Sequence, residues 1–179
     1  MSKKVIIISS SPRKNGNSDT LAAEFEKGAA SAGNTVEKIN VRELDLKFCI
    51  GCQYCQTHGI CVQKDSMNEL YEKIQNADVI VFATPVYYYA VSGQLKTFLD
   101  RLNPLYPRDN KFKDVYLLAS AADEIEHTFD GAVKDINGWI ECFDGVRLAG
   151  TVFAYGVNGV KDIQGRKELK EAYDMGRSV

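Results

Sequence analysis

Strand-like runs rich in β-branched residues alternate with longer helical patterns along the whole chain, and this alternation restricts the fold more than any other feature. The strand-like runs occur at 4–8, 35–41, 78–83, 114–119 and 147–154. Residues 5–8 and 79–83 are apolar at every position, which is typical of central parallel strands because such strands are buried on both faces. The sequence therefore predicts an α/β fold with a five-stranded parallel sheet and helices on both faces.

The segments between these runs have helical spacing. We expect helices at 17–32, 66–75, 92–102, 128–143 and 165–175. Ser66 and Glu69 have the spacing of a capping box, which predicts that the second helix begins at Ser66. Lys96 and Asp100 lie one helical turn apart and are expected to form an ion pair. Because no repeat or linker divides the chain, residues 1–179 are expected to form a single domain with a cysteine-rich loop at 47–64.

The charge balance excludes several classes of partner. The 22 basic and 24 acidic residues are nearly equal in number, so the chain lacks the basic surface that nucleic acid requires. The first apolar stretch, 5–8, is too short for a signal peptide or a membrane span. We therefore expect a soluble, cytoplasmic protein that binds neither nucleic acid nor a membrane.

Four cysteines lie close together at Cys49, Cys52, Cys55 and Cys61, in a C-x2-C-x2-C-x5-C pattern. This spacing can direct several thiolates to one centre, as in iron–sulfur clusters, although the fourth cysteine lies further away than in the bacterial ferredoxin run. From the residues alone a cluster, a four-thiolate zinc site, a disulfide and reduced thiols all stay open. Cys142 lies in a helical pattern and is expected to be a small buried residue. His58 is expected to be an exposed loop residue.

The loop after the first strand, 9–18, is rich in hydroxyl and amide side chains and leads into a helix. It has neither the G-x-G-x-x-G pattern of a dinucleotide site nor the G-K-[ST] ending of a nucleoside-triphosphate loop. A helix N-terminus favours an anion, so we interpret this loop as a phosphate site in preference to a simple helix cap.

Two further loops follow strands at the same expected edge of the sheet. The loop 84–93 contains a proline followed by three tyrosines, which suit stacking on a planar ring or contact between subunits. The loop 120–123 consists of small residues that would let a ring approach the backbone.

Taken together, the segment 10–18, the cysteine run 49–61 and the segment 84–101 resemble the NAD(P)H-dependent FMN reductase family of the flavodoxin-like fold. The cysteine spacing is similar to that of the iron–sulfur flavoprotein branch. The resemblance implies a doubly wound sheet of strand order 2-1-3-4-5 that binds FMN non-covalently. It assigns the FMN phosphate to Ser11, Arg13, Asn15, Asn17 and Ser18. It assigns the flavin ring to Pro85, Val86, Tyr87 and Tyr88, with Ser120 and Ala121 on the other edge. It assigns a [4Fe–4S] cluster to Cys49, Cys52, Cys55 and Cys61.

The resemblance also implies an oxidoreductase that transfers electrons from NAD(P)H or a reduced donor to a small acceptor such as a quinone or a flavin. We assign no catalytic acid or base, because the flavin supplies the chemistry and the protein supplies position. Family members are commonly dimers or tetramers, so we expect a homodimer or homotetramer. The alternatives are a non-enzymatic flavin and iron–sulfur electron carrier, and a thiol redox-sensing module.

Overall fold

The computed structural model describes residues 2–179, and a parallel sheet lies at its centre. Its strands are β1 (Lys4–Ser9), β2 (Thr35–Asn40), β3 (Val79–Tyr87), β4 (Ala90–Val91), β5 (Asp114–Ser120) and β6 (Arg147–Ala154). The long strands lie in the order β2-β1-β3-β5-β6 and pair in parallel. These five strands have the predicted order, so the doubly wound flavodoxin-like fold is confirmed. The two-residue strand β4, which pairs antiparallel with the end of β3, was not predicted.

Helices cover both faces of the sheet, as predicted. They are α1 (Asn17–Ser31), α2 (Tyr54–His58), α3 (Tyr71–Gln75), α4 (Gly93–Arg101), α5 (Asp130–Ile140) and α6 (Lys167–Arg177). One core cluster packs the sheet against α3, α4 and α5, and the other packs it against α1 and α6. Both faces of β1 and β3 are therefore buried, which explains why these strands are apolar at nearly every position.

Two helix predictions differ from the structure. The segment 66–75 is a 3₁₀ turn, Ser66–Glu69, followed by the short helix α3. Asp65 caps this turn by accepting a hydrogen bond from the Met67 backbone N–H (3.1 Å), whereas the Ser66 hydroxyl accepts from the Asp45 N–H (3.0 Å). The predicted capping role of Ser66 is therefore wrong. The fourth predicted helix is also shorter, since a 3₁₀ turn precedes α5 and α5 ends at Ile140.

The early end of α5 changes the environment of Cys142. This cysteine is exposed, and its thiol donates to the Gly138 carbonyl (3.4 Å). The prediction of a buried Cys142 is therefore wrong. His58 is exposed, as predicted, although it lies in α2 and its ring stacks on that of Tyr54.

Helix α4 begins within one residue of its predicted start, and its predicted ion pair forms. The Ser92 hydroxyl accepts from the Leu95 N–H (3.3 Å) and caps the helix, and Lys96 pairs with Asp100 at 2.6 Å. Among residues 2–179, no helix combines the length and apolar composition that are needed to cross a bilayer.

Candidate functional site

The loops that follow β1 and β3 contact each other at the carboxyl edge of the sheet. The backbone N–H of Ser10 donates to the carbonyl of Ala83 (2.8 Å), and the Ser10 hydroxyl also donates to this carbonyl (3.1 Å). The Ser92 hydroxyl in turn donates to the Ser10 hydroxyl (2.9 Å). The predicted phosphate loop and the tyrosine loop are thus parts of one surface, at the position where ligands bind in doubly wound sheets.

The N-terminus of α1 has the features of an anion site. Gly16 is the N-cap residue and provides no side-chain hydrogen bond, so the first backbone N–H groups of the helix lack the usual cap. The hydroxyl oxygen of Ser18 is buried and has no hydrogen-bond partner in the part of the chain that the structure describes. Unpaired donors at the positive end of a helix suit a phosphate group, so the residues present fit the phosphate of FMN.

The five predicted phosphate residues lie in the loop after β1 and in the first turn of α1, and two of them contact a distant loop. The guanidinium of Arg13 is exposed and donates to the carbonyl of Asn158 (2.8 Å). The Asn17 amide donates to the Gly159 carbonyl (3.1 Å), and its oxygen accepts from the Ile163 N–H (3.3 Å). A loop around 158–163 therefore supports the phosphate loop, and no motif in the sequence indicates this support.

Ser11 and Asn15 shape the turn itself. The Ser11 hydroxyl donates to the carbonyl of Arg13 (2.8 Å), and a Cβ at Gly16 would lie 2.5 Å from that hydroxyl oxygen. Asn15 has a φ of 56°, a left-handed conformation that asparagine tolerates better than most residues. The loop is therefore tightly folded.

Asp19 holds this turn and was not among the predicted site residues. Its buried carboxylate accepts from the Ser9 hydroxyl (2.9 Å) and from the Asn15 backbone N–H (3.0 Å). Lys38 and Arg42 each lie 3.5 Å from the same carboxylate. These two cations offset a negative charge that would otherwise repel a phosphate. The sequence feature that could have indicated this role of Asp19 is its place as an acidic residue in the first turn of α1. Acidic residues are also typical of the first turn of an ordinary helix, so the feature is not specific.

The predicted flavin-ring residues lie at the ends of β3 and β5. Pro85 is buried and is paired in register with Ser120, and Ala121 is also buried. Val86 is half-buried, and Tyr87 is 43 % exposed at the last position of β3. The structure thus places these five predicted residues together along one edge.

The turn between β3 and β4 is strained. Its two central residues, Tyr88 and Tyr89, have φ values of 50° and 64°, as in a type I′ turn, where asparagine and glycine are usual. Bulky residues in this conformation cost free energy and are concentrated at functional sites. Tyr88 is fully exposed at the tip.

The Tyr89 hydroxyl anchors this turn to the loop after β5. It donates to the Asp123 carboxylate (2.8 Å), and this hydrogen bond holds the pKa of Asp123 below its ordinary value. The same bond raises the pKa of Tyr89. The side chain of Tyr89 is therefore committed to Asp123, while that of Tyr88 is fully exposed.

The four clustered cysteines line one small pocket. Cys49 and Cys52 are exposed, Cys61 is half-buried and Cys55 is buried. Among residues 2–179, no group of three or more histidine, cysteine or acidic side chains has the arrangement of a formed metal site. The four thiols thus match the ligands of an iron–sulfur cluster in number and kind, but they are not arranged around a single metal centre.

Buried polar groups surround the inner side of this pocket. Arg101 and Asp65 form an ion pair whose side chains are 1 % and 0 % exposed. Burial raises the pKa of Asp65, but the hydrogen bonds from Arg101 and from two backbone N–H groups outweigh it and leave the pKa below its ordinary value. The hydroxyl of Tyr71 is buried without a hydrogen-bond partner among the described residues, and burial raises its pKa. These groups were not predicted, because no sequence motif links them to the cysteines.

Comparison with known proteins gives a consistent result. The family model described as NADPH-dependent FMN reductase matches residues 3–141. An iron–sulfur flavoprotein of Archaeoglobus fulgidus is 29 % identical over 179 residues, which cover 98 % of this chain and 78 % of the relative. An iron–sulfur flavoprotein of Methanocaldococcus jannaschii is 41 % identical over 102 residues, which cover 57 % of this chain and 53 % of the relative. The match thus spans about half the length of this second relative.

A solved structure shows the same fold. The NAD(P)H:quinone oxidoreductase from Methanothermobacter marburgensis superimposes with a TM-score of 0.72 at 19 % identity, over 99 % of this chain and 96 % of that chain. At this identity the likeness concerns the fold.

Proposed function

The chain belongs to the NADPH-dependent FMN reductase family, and we propose on that basis that it transfers electrons from NAD(P)H or another reduced donor, through bound FMN, to a small acceptor. A quinone or a free flavin is the acceptor class that we favour. The observation that carries this proposal is the uncapped N-terminus of α1 beside the unpaired, buried hydroxyl of Ser18. A phosphate at this position would satisfy both.

Bound FMN supplies the chemistry, since it accepts a hydride and releases electrons singly or in pairs. The residues of this chain bind and orient it. The helix amides and Ser18 would hold the phosphate, Arg13 would add a positive charge, and Pro85 with Tyr87 would border the ring. The strained turn would place Tyr88 at the outer edge of the flavin, where an acceptor enters.

A titration with FMN and with riboflavin tests the phosphate assignment. We expect Arg13→Ala to weaken FMN binding by about 1.5–3 kcal/mol, which is about 10- to 150-fold in Kd, because a charge-assisted hydrogen bond is lost. Riboflavin has no phosphate, so its affinity should not change. Lys14→Ala is the matched control, since it removes an exposed cation from the same loop. Equal losses for both ligands, or protein that stays colourless after reconstitution with FMN, would contradict the proposal.

Steady-state oxidation of NADH and NADPH separates the enzyme from the alternatives. We expect turnover with a quinone, an azo dye or free flavin as the acceptor. FMN-loaded protein without turnover for any of the three acceptors would favour an electron carrier or a redox sensor.

We further propose that Cys49, Cys52, Cys55 and Cys61 hold a [4Fe–4S] cluster that exchanges single electrons with the flavin. The support is their common pocket, the number of thiols and the iron–sulfur flavoproteins among the relatives. Anaerobic reconstitution should give stoichiometric iron and sulfide, which are lost in Cys52→Ala and retained in Cys142→Ala. Stoichiometric zinc with background iron would make the site structural and remove the electron-transfer role.

We also propose that the protein assembles as a homodimer or homotetramer through surfaces that include the tyrosine turn. Tyr88 is fully exposed, and Phe48 and Ile50 beside the cysteines are 77 % and 65 % exposed. Exposed apolar patches commonly mark interaction surfaces, so we assign the assembly to two surfaces, the tyrosine turn and the segment with Phe48 and Ile50.

A further inference from the structure

The pocket of the four cysteines has an exposed side and a hydrogen-bonded side. Cys49 and Cys52 are exposed. The buried Arg101 donates through Nη2 to Cys61 Sγ (3.5 Å), and the exposed Asn103 donates through Nδ2 to Cys55 Sγ (3.4 Å). The two sulfurs that the fold holds inside therefore already accept N–H hydrogen bonds.

The Arg101 donor is held rigidly. Its guanidinium forms a two-point contact with the carboxylate of Asp65, through Nη1 and through Nη2 (2.9 Å), and Nη1 also donates to the carbonyl of Lys47 (2.7 Å). Asp65 accepts in addition from the Lys47 backbone N–H (3.1 Å). Arg101 thus fastens both ends of the cysteine-rich loop to the end of α4, and this leaves Nη2 directed at Cys61.

The Asn103 donor is independent of the ion pair. Asn103 begins the 3₁₀ turn Asn103–Leu105 that follows α4, and its backbone carbonyl accepts from the Gln56 side-chain amide (3.4 Å). This contact ties the turn to α2, which carries Cys55. The two donors therefore approach different sulfurs from one short stretch of chain.

We propose that Arg101 and Asn103 are positioning residues that hydrogen-bond the Cys61 and Cys55 thiolates of the cluster and raise its reduction potential. This inference rests on the proposed cluster. The physical reason is that reduction adds an electron to a group that is already negative, so N–H donors at its sulfurs and a fixed cation beside it stabilise the reduced form more than the oxidised form.

Asn103→Ala is the decisive variant, because it removes one N–H donor and leaves the buried ion pair intact. Asn137→Ala is the matched control, since it makes the same chemical change on α5, outside the cysteine pocket. The readout is the midpoint potential of the anaerobically reconstituted cluster, from a redox titration followed by electron paramagnetic resonance. We expect full iron and sulfide in both variants, a lower midpoint potential in Asn103→Ala and the wild-type potential in Asn137→Ala.

Arg101→Lys tests the second donor, because it keeps the charge and removes the two-point geometry. We expect a lower midpoint potential for Arg101→Lys as well. If Arg101→Lys does not fold, the result for Asn103→Ala decides the inference. A cluster with the wild-type potential in Asn103→Ala overturns the assignment of the donors and leaves the cluster itself in place. A wild-type protein that takes up no iron overturns the cluster and this inference together.

Discussion

The close crossing of α1 and α6 gives a sharp prediction about stability. The two helices meet at Gly28 and Gly176. A Cβ on Gly28 would lie 2.0 Å from the carbonyl oxygen of Tyr173 and 2.9 Å from the backbone nitrogen of Arg177. Contacts between non-bonded carbon atoms are optimal at about 3.5–4.0 Å, so Gly28→Ala cannot be accommodated without separating the helices.

The expected loss of stability follows from two opposing terms. Overpacking of a filled interior costs about 1–3 kcal/mol, and the upper end applies here because the obstacle is backbone, which cannot change rotamer. Alanine is better than glycine in a helix by about 1 kcal/mol, which offsets part of this cost. The net destabilisation by Gly28→Ala should be about 2 kcal/mol. In a chain of this size that corresponds to a Tm lower by about 4–8 °C.

Gly138→Ala is the matched control, since Gly138 also lies inside a helix and a Cβ there meets no atom within 4 Å. This variant should be more stable than the wild type by up to about 1 kcal/mol. Thermal and urea unfolding measure both changes. The prediction is wrong if Gly28→Ala unfolds at or above the wild-type temperature, or if the two alanine variants behave alike.

Three further predictions concern polar groups and the tyrosine turn. Asp65→Asn should lower the free energy of unfolding by about 3–5 kcal/mol at pH 7, because it leaves Arg101 buried without a counter-charge. The folded-state pKa of Asp65 is lowered. The contribution of its carboxylate to the free energy of unfolding is therefore complete above the unfolded-state pKa, and it is lost as the pH falls through the folded-state pKa. Urea unfolding should therefore show a smaller difference in the free energy of unfolding between Asp65→Asn and the wild type at pH 3 than at pH 7. Tyr89→Phe should let the pKa of Asp123 rise towards its ordinary value, which a nuclear magnetic resonance titration of the carboxyl group detects. Tyr88→Ser should shift sedimentation towards the monomer, and a wild type that is monomeric at every concentration would contradict the proposed assembly.

The strands could be predicted because their signals are local. β6 spans Arg147–Ala154, as its run of β-branched and apolar residues predicts. The ion pair between Lys96 and Asp100 could be predicted for a similar reason, because their spacing on a helix is enough to bring them together. The predicted capping role of Ser66 was wrong for a physical reason that lies outside the segment, although a helical turn does begin at Ser66. Asp65 already faces inward to pair with Arg101, so its carboxylate is placed to cap the turn in place of Ser66.

The positions of the site loops could be predicted, but their supports could not. The loop after the first strand was expected to be an anion site because it leads into a helix N-terminus, whereas Ser18 itself was assigned from the family resemblance. The contact between Arg13 and Asn158 joins residues 145 positions apart, and that between Arg101 and Lys47 joins residues 54 positions apart. No local pattern contains such pairs, because they form only when the sheet and its crossovers are assembled.

Helix α4 connects the two candidate sites. At its start, the Ser92 hydroxyl caps the helix and donates to Ser10 in the phosphate loop. At its end, Arg101 fastens the cysteine-rich loop and donates to Cys61. Nine helical residues span about 14 Å, and a capped helix with a buried apolar face is rigid over that length. The separation of the phosphate loop from the cysteine pocket is therefore set by one element of fixed length. For the FMN and the cluster that we propose, this helix would fix the distance between them.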